Sequence, residues 1–331
     1  MKAKLQSQVQ NERLVLEAAI PLATPLVVYL EPSGYCNLKC GFCPHGVAGS
    51  APKKDIMSLE LFKKLMDDLS AFPERVKLLR VCGNGDPLMN KALLPMLEHA
   101  HERRVVQRVE LLTNGALLTP DLVRNLPRFL DRIVFSIEGL NSEDYQRICG
   151  TTIDFEKLLD NLNELYAWRN GCVVHIKIHH KAVPTADKEK QFLTLFGDRC
   201  DQIFIEKLVP MWPQLDLAYS SNEFRWGDSR VIKRQVCAQI FKGVQVQADG
   251  EVVPCCVDWK RVNMLGNIGN EPLIAIWNGA KLRKLQTEHL SGDKGELEPC
   301  KDCTMNDYCE VDNIDGHAQE CLERLKAEVL Q

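Results

Sequence analysis

Cys36-Asn37-Leu38-Lys39-Cys40-Gly41-Phe42-Cys43 stands directly after an apolar, β-branched run at residues 26–31. Three thiolates within eight residues can each take one iron of a [4Fe-4S] cube and leave the fourth iron open to an outside ligand. A tetrahedral zinc would want a fourth thiolate or imidazole, for which His45 is the nearby candidate. The preceding run is the first of six predicted strands, at residues 26–31, 77–81, 105–112, 132–137, 173–179 and 202–209, separated by amphipathic helical stretches. Ser58 is placed to cap a helix with Leu61, Phe62, Leu65, Met66 and Leu69 on one face, and Thr119-Pro120 is a helix start. Further helical stretches cover residues 91–103, 155–168 and 187–195. Such alternation predicts an α/β fold with a parallel sheet. Six right-handed crossovers curve into a partial barrel whose reactive rim lies at the strand C-terminal ends, where the cysteine loop falls.

Composition narrows the class. The 331 residues are 45% hydrophobic and 26% charged, which excludes a disordered or collagen-like chain. Lys and Arg total 41 against 45 Asp and Glu, a net charge of −4, so neither nucleic acid nor a membrane surface is an expected partner. The stretch at residues 14–22 is broken by Glu17 and Pro21 and makes a poor signal peptide, and no apolar run reaches the length of a membrane span. A reducing cytoplasm is the expected compartment, where fourteen cysteines read as metal ligands or chemistry before disulfides.

After Pro210 the pattern changes. Residues 211–230 read as a linker, and residues 231–331 as a second, small α+β domain holding seven of the fourteen cysteines. Residues 243–247 and 251–254 flank Ala248-Asp249-Gly250 as a hairpin, followed by helices near 272–277 and 280–290. Residues 1–24 form an N-terminal extension and 25–210 the barrel.

With its CxxxCxφC loop and Phe42 at the aromatic place, the chain resembles the radical S-adenosylmethionine (SAM) enzymes. The resemblance implies a partial (β/α)6 TIM-like barrel and a cluster held by Cys36, Cys40 and Cys43. It also implies that SAM chelates the open iron and is cleaved by one electron to methionine and a 5'-deoxyadenosyl radical. A low-potential donor such as flavodoxin or ferredoxin would supply that electron. Gly83-Asn84-Gly85-Asp86-Pro87 is similar to the family's GGEP motif, which holds the amino group of SAM, with Asp86 reaching less far than Glu. Thr113-Asn114-Gly115 and Ser136-Ile137-Glu138 resemble the TNG and SID-type motifs, and Arg147 matches an arginine that pairs with the methionine carboxylate. As bare residues, these also fit an ordinary Asx turn and a solvent-facing helix arginine.

Strand five, residues 173–179, puts His175, Lys177 and His179 on one face by alternation. That face either lines the reaction chamber, with His179 nearest its mouth as substrate or base contact, or is the wet side of an edge strand. In the C-terminal region the spacing of Cys237, Gly250, Cys255, Cys300 and Cys303 resembles the SPASM/Twitch extension. This implies one auxiliary [4Fe-4S] cluster on those four cysteines. Cys256, Cys309 and Cys321 are alternative ligands, for a second cluster if there is one, although Asn313 stands where the full pattern has a cysteine. A zinc ribbon is the other reading of this domain. Cys82, Cys149, Cys172 and Cys200 are expected to pack as small hydrophobes.

The compact pattern and the Cys-Cys-x-Asp phrase look closest to the aminocyclitol dehydrogenase branch. The expected function is radical oxidation of a small polar, sugar-like or aminocyclitol-like molecule, with the auxiliary cluster accepting an electron. Modification of a ribosomal peptide or protein side chain is the alternative, although the roughly 25 residues before the first strand are short for a leader-recognition domain. A non-enzymatic iron–sulfur or zinc-binding protein is the third reading.

Overall fold

The computed structural model of the chain describes residues 1–7, 14–47, 50, 52–210, 212, 224, 230–309 and 311–329. The six expected strands form at Val27–Leu30 (β2), Leu78–Val81 (β3), Val109–Thr113 (β4), Arg132–Ile137 (β5), Val173–His179 (β6) and Gln202–Glu206 (β7). Before them comes β1 (Lys4–Leu5), and after them β8 (Gly243–Val246), β9 (Glu251–Val253) and β10 (Gly266–Asn267). Among the described residues these make one ten-stranded sheet in the order β1-β7-β6-β5-β4-β3-β2-β8-β9-β10. Strands β2 to β7 are parallel and adjacent in chain order, the arrangement of a partial barrel.

Two sheet edges differ from the sequence reading. β1, within the stretch read as an extension, pairs parallel with β7 through Lys4↔Gln202 and Leu5↔Ile203. β8, placed in the second domain, pairs parallel with β2 through Val27↔Gly243 and Tyr29↔Gln245. The C-terminal hairpin thus continues the barrel sheet. Gly243 permits the join, because a Cβ there would come within 1.9 Å of the Val27 carbonyl oxygen. The expected linker at 211–230 lies outside the described residues apart from Trp212, Phe224 and Arg230.

Helices cover the outer face of the parallel strands. In Leu59–Ser70 the Ser58 hydroxyl accepts from the Leu61 N–H, and Phe62, Leu65, Met66 and Leu69 are buried. Each such side chain contributes roughly 2 kcal/mol through removal from water. Thr119 caps Pro120–Phe129 in the same way. The strand residues that meet these helices are apolar: Val28, Leu30, Leu79, Val81, Leu111, Ile133, Phe135, Val174, Ile176, Ile178, Ile203, Val244 and Val246 share one core cluster. A second cluster joins Leu16 and Ile20 to Phe241, Leu285 and Leu325. Trp277 is buried, and its Nε1–H donates to the Leu22 carbonyl at 2.9 Å. Among the described residues no helix is long and apolar enough to cross a membrane.

Asn90 fixes the loop beyond β2 from below. Its amide nitrogen donates to the carbonyls of Pro32 (2.9 Å) and Met57 (3.0 Å), and its oxygen accepts from the Ala92 N–H at 2.8 Å. Asn90→Ala would remove three hydrogen bonds to backbone groups, leaving the Met57 carbonyl and the Ala92 N–H without this partner while the Pro32 carbonyl keeps the Met57 N–H at 3.0 Å. We expect a loss of about 3 kcal/mol in denaturant unfolding; a change below about 1 kcal/mol would show that the loop finds other partners.

Candidate active site and cysteine cavity

Alternation along the strands turns the other face of each into the barrel lumen, where a row of polar and charged residues stands among apolar ones such as Leu112, Val134 and Phe204. The register aligns Gln245, Tyr29, Arg80, Glu110 and Arg132 across β8, β2, β3, β4 and β5. Glu110 accepts from Arg80 Nε at 2.8 Å and faces Arg132 Nη1 at 3.3 Å, while Arg132 also bonds His175 and Gln202. This charged row is the floor of the barrel. His175 belongs to it: buried, and held at about 3 by desolvation and then by the Arg132 charge, it lies away from the rim where the sequence reading put a substrate contact. Lys177, one pleat higher, pairs with Glu206 at 2.7 Å.

His179 reaches the rim. The Ala182 N–H donates to its Nδ1 at 3.2 Å, which puts the ring proton on Nε2, 3.4 Å from Glu138 Oε2. Burial holds His179 at about 3, so it is neutral at physiological pH. Burial raises the Glu138 carboxyl to about 7, against the pull of Lys177. The His179 ring stacks edge-on with Phe42, centroids 5.0 Å apart, which seats this pair beside the cysteine loop. Ser136, in register with Lys177, lies on the same strand face as Glu138.

Cys36, Cys40 and Cys43 sit on the loop after β2. It is pinned to the end of the helix Ser142–Cys149, where Lys39 N–H donates to the Cys149 carbonyl (2.9 Å) and Gly41 N–H to that of Ile148 (3.1 Å). Cys149, read from sequence as a packing residue, brings its Sγ to 3.5 Å from Cys40 Sγ. Only the fold could show this contact, since Cys149 has no motif spacing to the loop. Burial lifts Cys36 to about 12 and Cys43 to about 11; Cys40 rises through its hydrogen bond with Cys149 and then burial. The bare site therefore holds thiols, and loading a cluster must release their protons.

The Gly83–Pro87 turn packs on the same loop. Gly83 has φ +143°, and a Cβ there would lie 2.5 Å from Glu31. Glu31, absent from the sequence reading, is the acid at the heart of the turn: its Oε2 accepts from the Asn84 N–H at 2.7 Å, and Gly85 N–H also bonds it. Burial raises it to about 7, opposed by those bonds and by Arg261, whose Nη2 lies 3.8 Å away. Asp86 is committed elsewhere. Its oxygens accept from Leu88 N–H (2.9 Å), Thr113 Oγ1 (3.0 and 2.9 Å) and Asn114 N–H (2.8 Å), which makes it a clasp between this turn and the end of β4. Asn114 donates to Asn37 Oδ1 at 2.9 Å and approaches Cys36 Sγ at 4.0 Å. Arg147 is 62% exposed and pairs with Asp144 at 2.7 Å, within electrostatic reach of His179.

Cys237, Cys255, Cys300 and Cys303 converge on a small cavity in the C-terminal region, together with Asp258, His289 and Asn306. Burial raises Cys255, lifts Cys300 to about 12 and raises Cys303. Cys256 is not in that lining; it stands between the cavity and the barrel, within electrostatic reach of Cys303 on one side and of Tyr29, Arg80 and Cys82 on the other. Cys309 is also outside the lining, and Cys321 is buried against the Glu17 carbonyl in the second core cluster. Four sulfur donors in one enclosed space are the ligand set of a cube, as the rim loop is of a three-ligand one.

Residues 30–176 match the radical SAM superfamily, and residues 237–304 match SPASM, an iron–sulfur cluster-binding domain. The chain is a radical SAM protein with a C-terminal SPASM domain, and these domains imply [4Fe-4S] clusters and SAM binding. It is similar to an AdoMet-dependent heme synthase of Methanosarcina barkeri, at 28% identity over 91% of this chain and 97% of that one. It is also similar to the S-adenosyl-L-methionine-dependent 2-deoxy-scyllo-inosamine dehydrogenase of Niallia circulans, at 23% identity over 84% and 92%. A solved structure of anSMEcpe with bound AdoMet and Cp18Cys peptide shares the fold, with TM-score 0.57 and 16% identity over 92% and 98% of the two chains.

Reconstituted protein should hold about eight irons per chain, four per cube. Replacing Cys36, Cys40 and Cys43 by Ala should leave about four and abolish cleavage of SAM to 5'-deoxyadenosine under a low-potential reductant. Undiminished 5'-deoxyadenosine from that variant would overturn the assignment of the rim loop. A count near twelve would bring Cys309 or Cys321 back as ligands of a second auxiliary cluster.

Proposed function

We propose that this chain is a radical SAM oxidoreductase acting on a small polar molecule of the sugar or aminocyclitol kind. The observation that carries the reading is the polar lumen: Arg80, Glu110, Arg132, Lys177, Glu206, Glu138 and His179 line the barrel below the cysteine loop. Such a chamber suits a ligand rich in hydroxyl or amino groups, whereas an apolar side chain would leave the chamber's own polar groups desolvated and unpaired. The similarity to a 2-deoxy-scyllo-inosamine dehydrogenase agrees with it. When bound, the two clusters and SAM supply a 5'-deoxyadenosyl radical that takes hydrogen from carbon and an acceptor for the second electron. Phe42, the backbone of Gly83, Asn84 and Gly85, Asn114, Ser136 and Arg147 are the proposed SAM contacts. Flavodoxin or ferredoxin is the proposed donor class.

The chain's own acid–base pair then divides the work. His179 has its Nδ1 engaged by Ala182 and its Nε2 protonated, so it donates. Glu138, poised near 7, is the group that can take the hydroxyl proton as a carbinol becomes a carbonyl. Because its ionised form is the active one, oxidation should rise as pH increases through about 7 and level off above.

The test uses polyols and amino-polyols deuterated at the carbinol carbon, 2-deoxy-scyllo-inosamine first. We expect one 5'-deoxyadenosine per two-electron oxidised product, with deuterium carried into it. Glu138→Gln should lower ketone formation at pH 8 by about a hundredfold and flatten the pH profile, while SAM cleavage continues. A product of unchanged oxidation level would assign epimerisation or rearrangement, and turnover of peptides alone would assign the peptide-modifying alternative.

A further inference from the structure

Burial and hydrogen bonding at the C-terminal cavity single out one residue with no place in the cysteine pattern. His289 is fully buried near the end of the helix Ala280–Leu290 and lines the cavity with Cys237, Cys255, Cys300 and Cys303. Its Nδ1 is an acceptor, taking the backbone N–H of Cys237 at 3.4 Å. The ring proton therefore lies on Nε2. That Nε2 is buried and has no hydrogen-bond partner among the described residues. A buried imidazole N–H left unbonded is costly, so an acceptor on the cavity side is what the site is built to receive.

Resting on the reading of this cavity as a cluster site, we propose that His289 is a positioning residue of the auxiliary centre: it donates its Nε2–H to a sulfur of the cluster. A donor there has a definite electrical effect. Reduction adds negative charge to the cluster sulfurs, and a hydrogen bond to sulfur stabilises the reduced form and raises the potential. The same ring ties the backbone of Cys237, a ligand, to the helix that carries it, so ligand geometry and potential are set by one side chain. The lining residue Lys294 adds a positive charge of the same sense.

The experiment uses full-length protein reconstituted with the Cys36, Cys40 and Cys43 set replaced by Ala, so that only the auxiliary centre reports. His289→Leu and His289→Gln are compared with the parent by iron content and EPR-monitored redox titration. We expect His289→Leu to keep about four irons and to be reduced at a more negative potential, and His289→Gln, which retains an N–H donor, to stay near the parent. Pulsed EPR of the reduced parent with 15N-labelled histidine should show a weak coupling to one histidine and an exchangeable proton. That measurement decides the matter even where the variants fail to load. An unchanged potential in a fully loaded His289→Leu overturns the proposal, as does a strong nitrogen coupling that makes His289 a ligand. A parent that holds no iron overturns the cluster reading along with it.

Discussion

The clasp made by the Asp86 carboxylate holds the rim together. Four loops must converge above the sheet for a cofactor to be held there, and loops at strand ends have no ladder of their own. Asp86 supplies the missing bonds: its backbone N–H donates to the Tyr35 carbonyl of the cysteine loop, and its side chain gathers Leu88, Thr113 and Asn114. Asn114 passes the connection on to Asn37. Burial alone would drive this acid to protonate; the donors around it offset that cost and give the buried charge its partners. The Gly83–Pro87 turn and the cysteine loop are thus one unit, with the glycines allowing the backbone to lie close enough for Glu31 to reach Asn84 and Gly85.

The same alternation that builds the core builds the chamber. Alternate residues of β2 to β8 are apolar and enter the core, and the face between them carries the charged and polar residues that meet each other, with Leu112, Val134 and Phe204 among them. Low in the lumen, Arg80 and Arg132 flank Glu110 and balance its charge in the floor. Near the mouth, desolvation dominates: Glu138 and His179 face each other with perturbed acidities because little solvent and few countercharges reach them. A gradient from paired charges to poised ones is the pattern expected of a site in which proton position matters.

The rim cysteines, the six strands and the helix caps at Ser58 and Thr119 were legible in the sequence because each rests on local spacing or side-chain chemistry. What was not legible depends on distant pairing. β1 is two residues long, and its strand character comes from β7. β8 reads as an ordinary hairpin strand, and nothing nearby in sequence says that its other edge meets β2. The motif position of Asp86 was legible, but not its contacts to Thr113 and Asn114 at the end of β4, which only the fold brings to it. Glu31, sitting in a plain Leu-Glu-Pro phrase, became visible only when the turn after β3 folded over it. Cys256 and Cys321 were ligand candidates on composition; the fold turns one toward the barrel and sinks the other against the N-terminal helix.

Continuity of the sheet has a consequence for how the two cysteine sets work together. The loop after β9 carries Cys255, and its Asp258 accepts the N–H groups of Val262 and Asn263 at 2.8 Å, which throws Arg261 back across the hairpin. Arg261 meets Asp249 and Glu251 at 2.7 Å and reaches Glu31, while Lys53, just past the cysteine loop, bonds the same Asp249. Two cations thus stitch three carboxylates drawn from both halves of the chain. Because β8 is hydrogen-bonded to β2 along its length, these ion pairs need not hold domains together. Their work is finer: Arg261 offsets part of the desolvation of Glu31, whose carboxylate accepts the N–H groups of Asn84 and Gly85. The loop that carries Cys255 is therefore joined to the Gly83–Pro87 turn through a chain of direct contacts, on a backbone paired along β2 and β8.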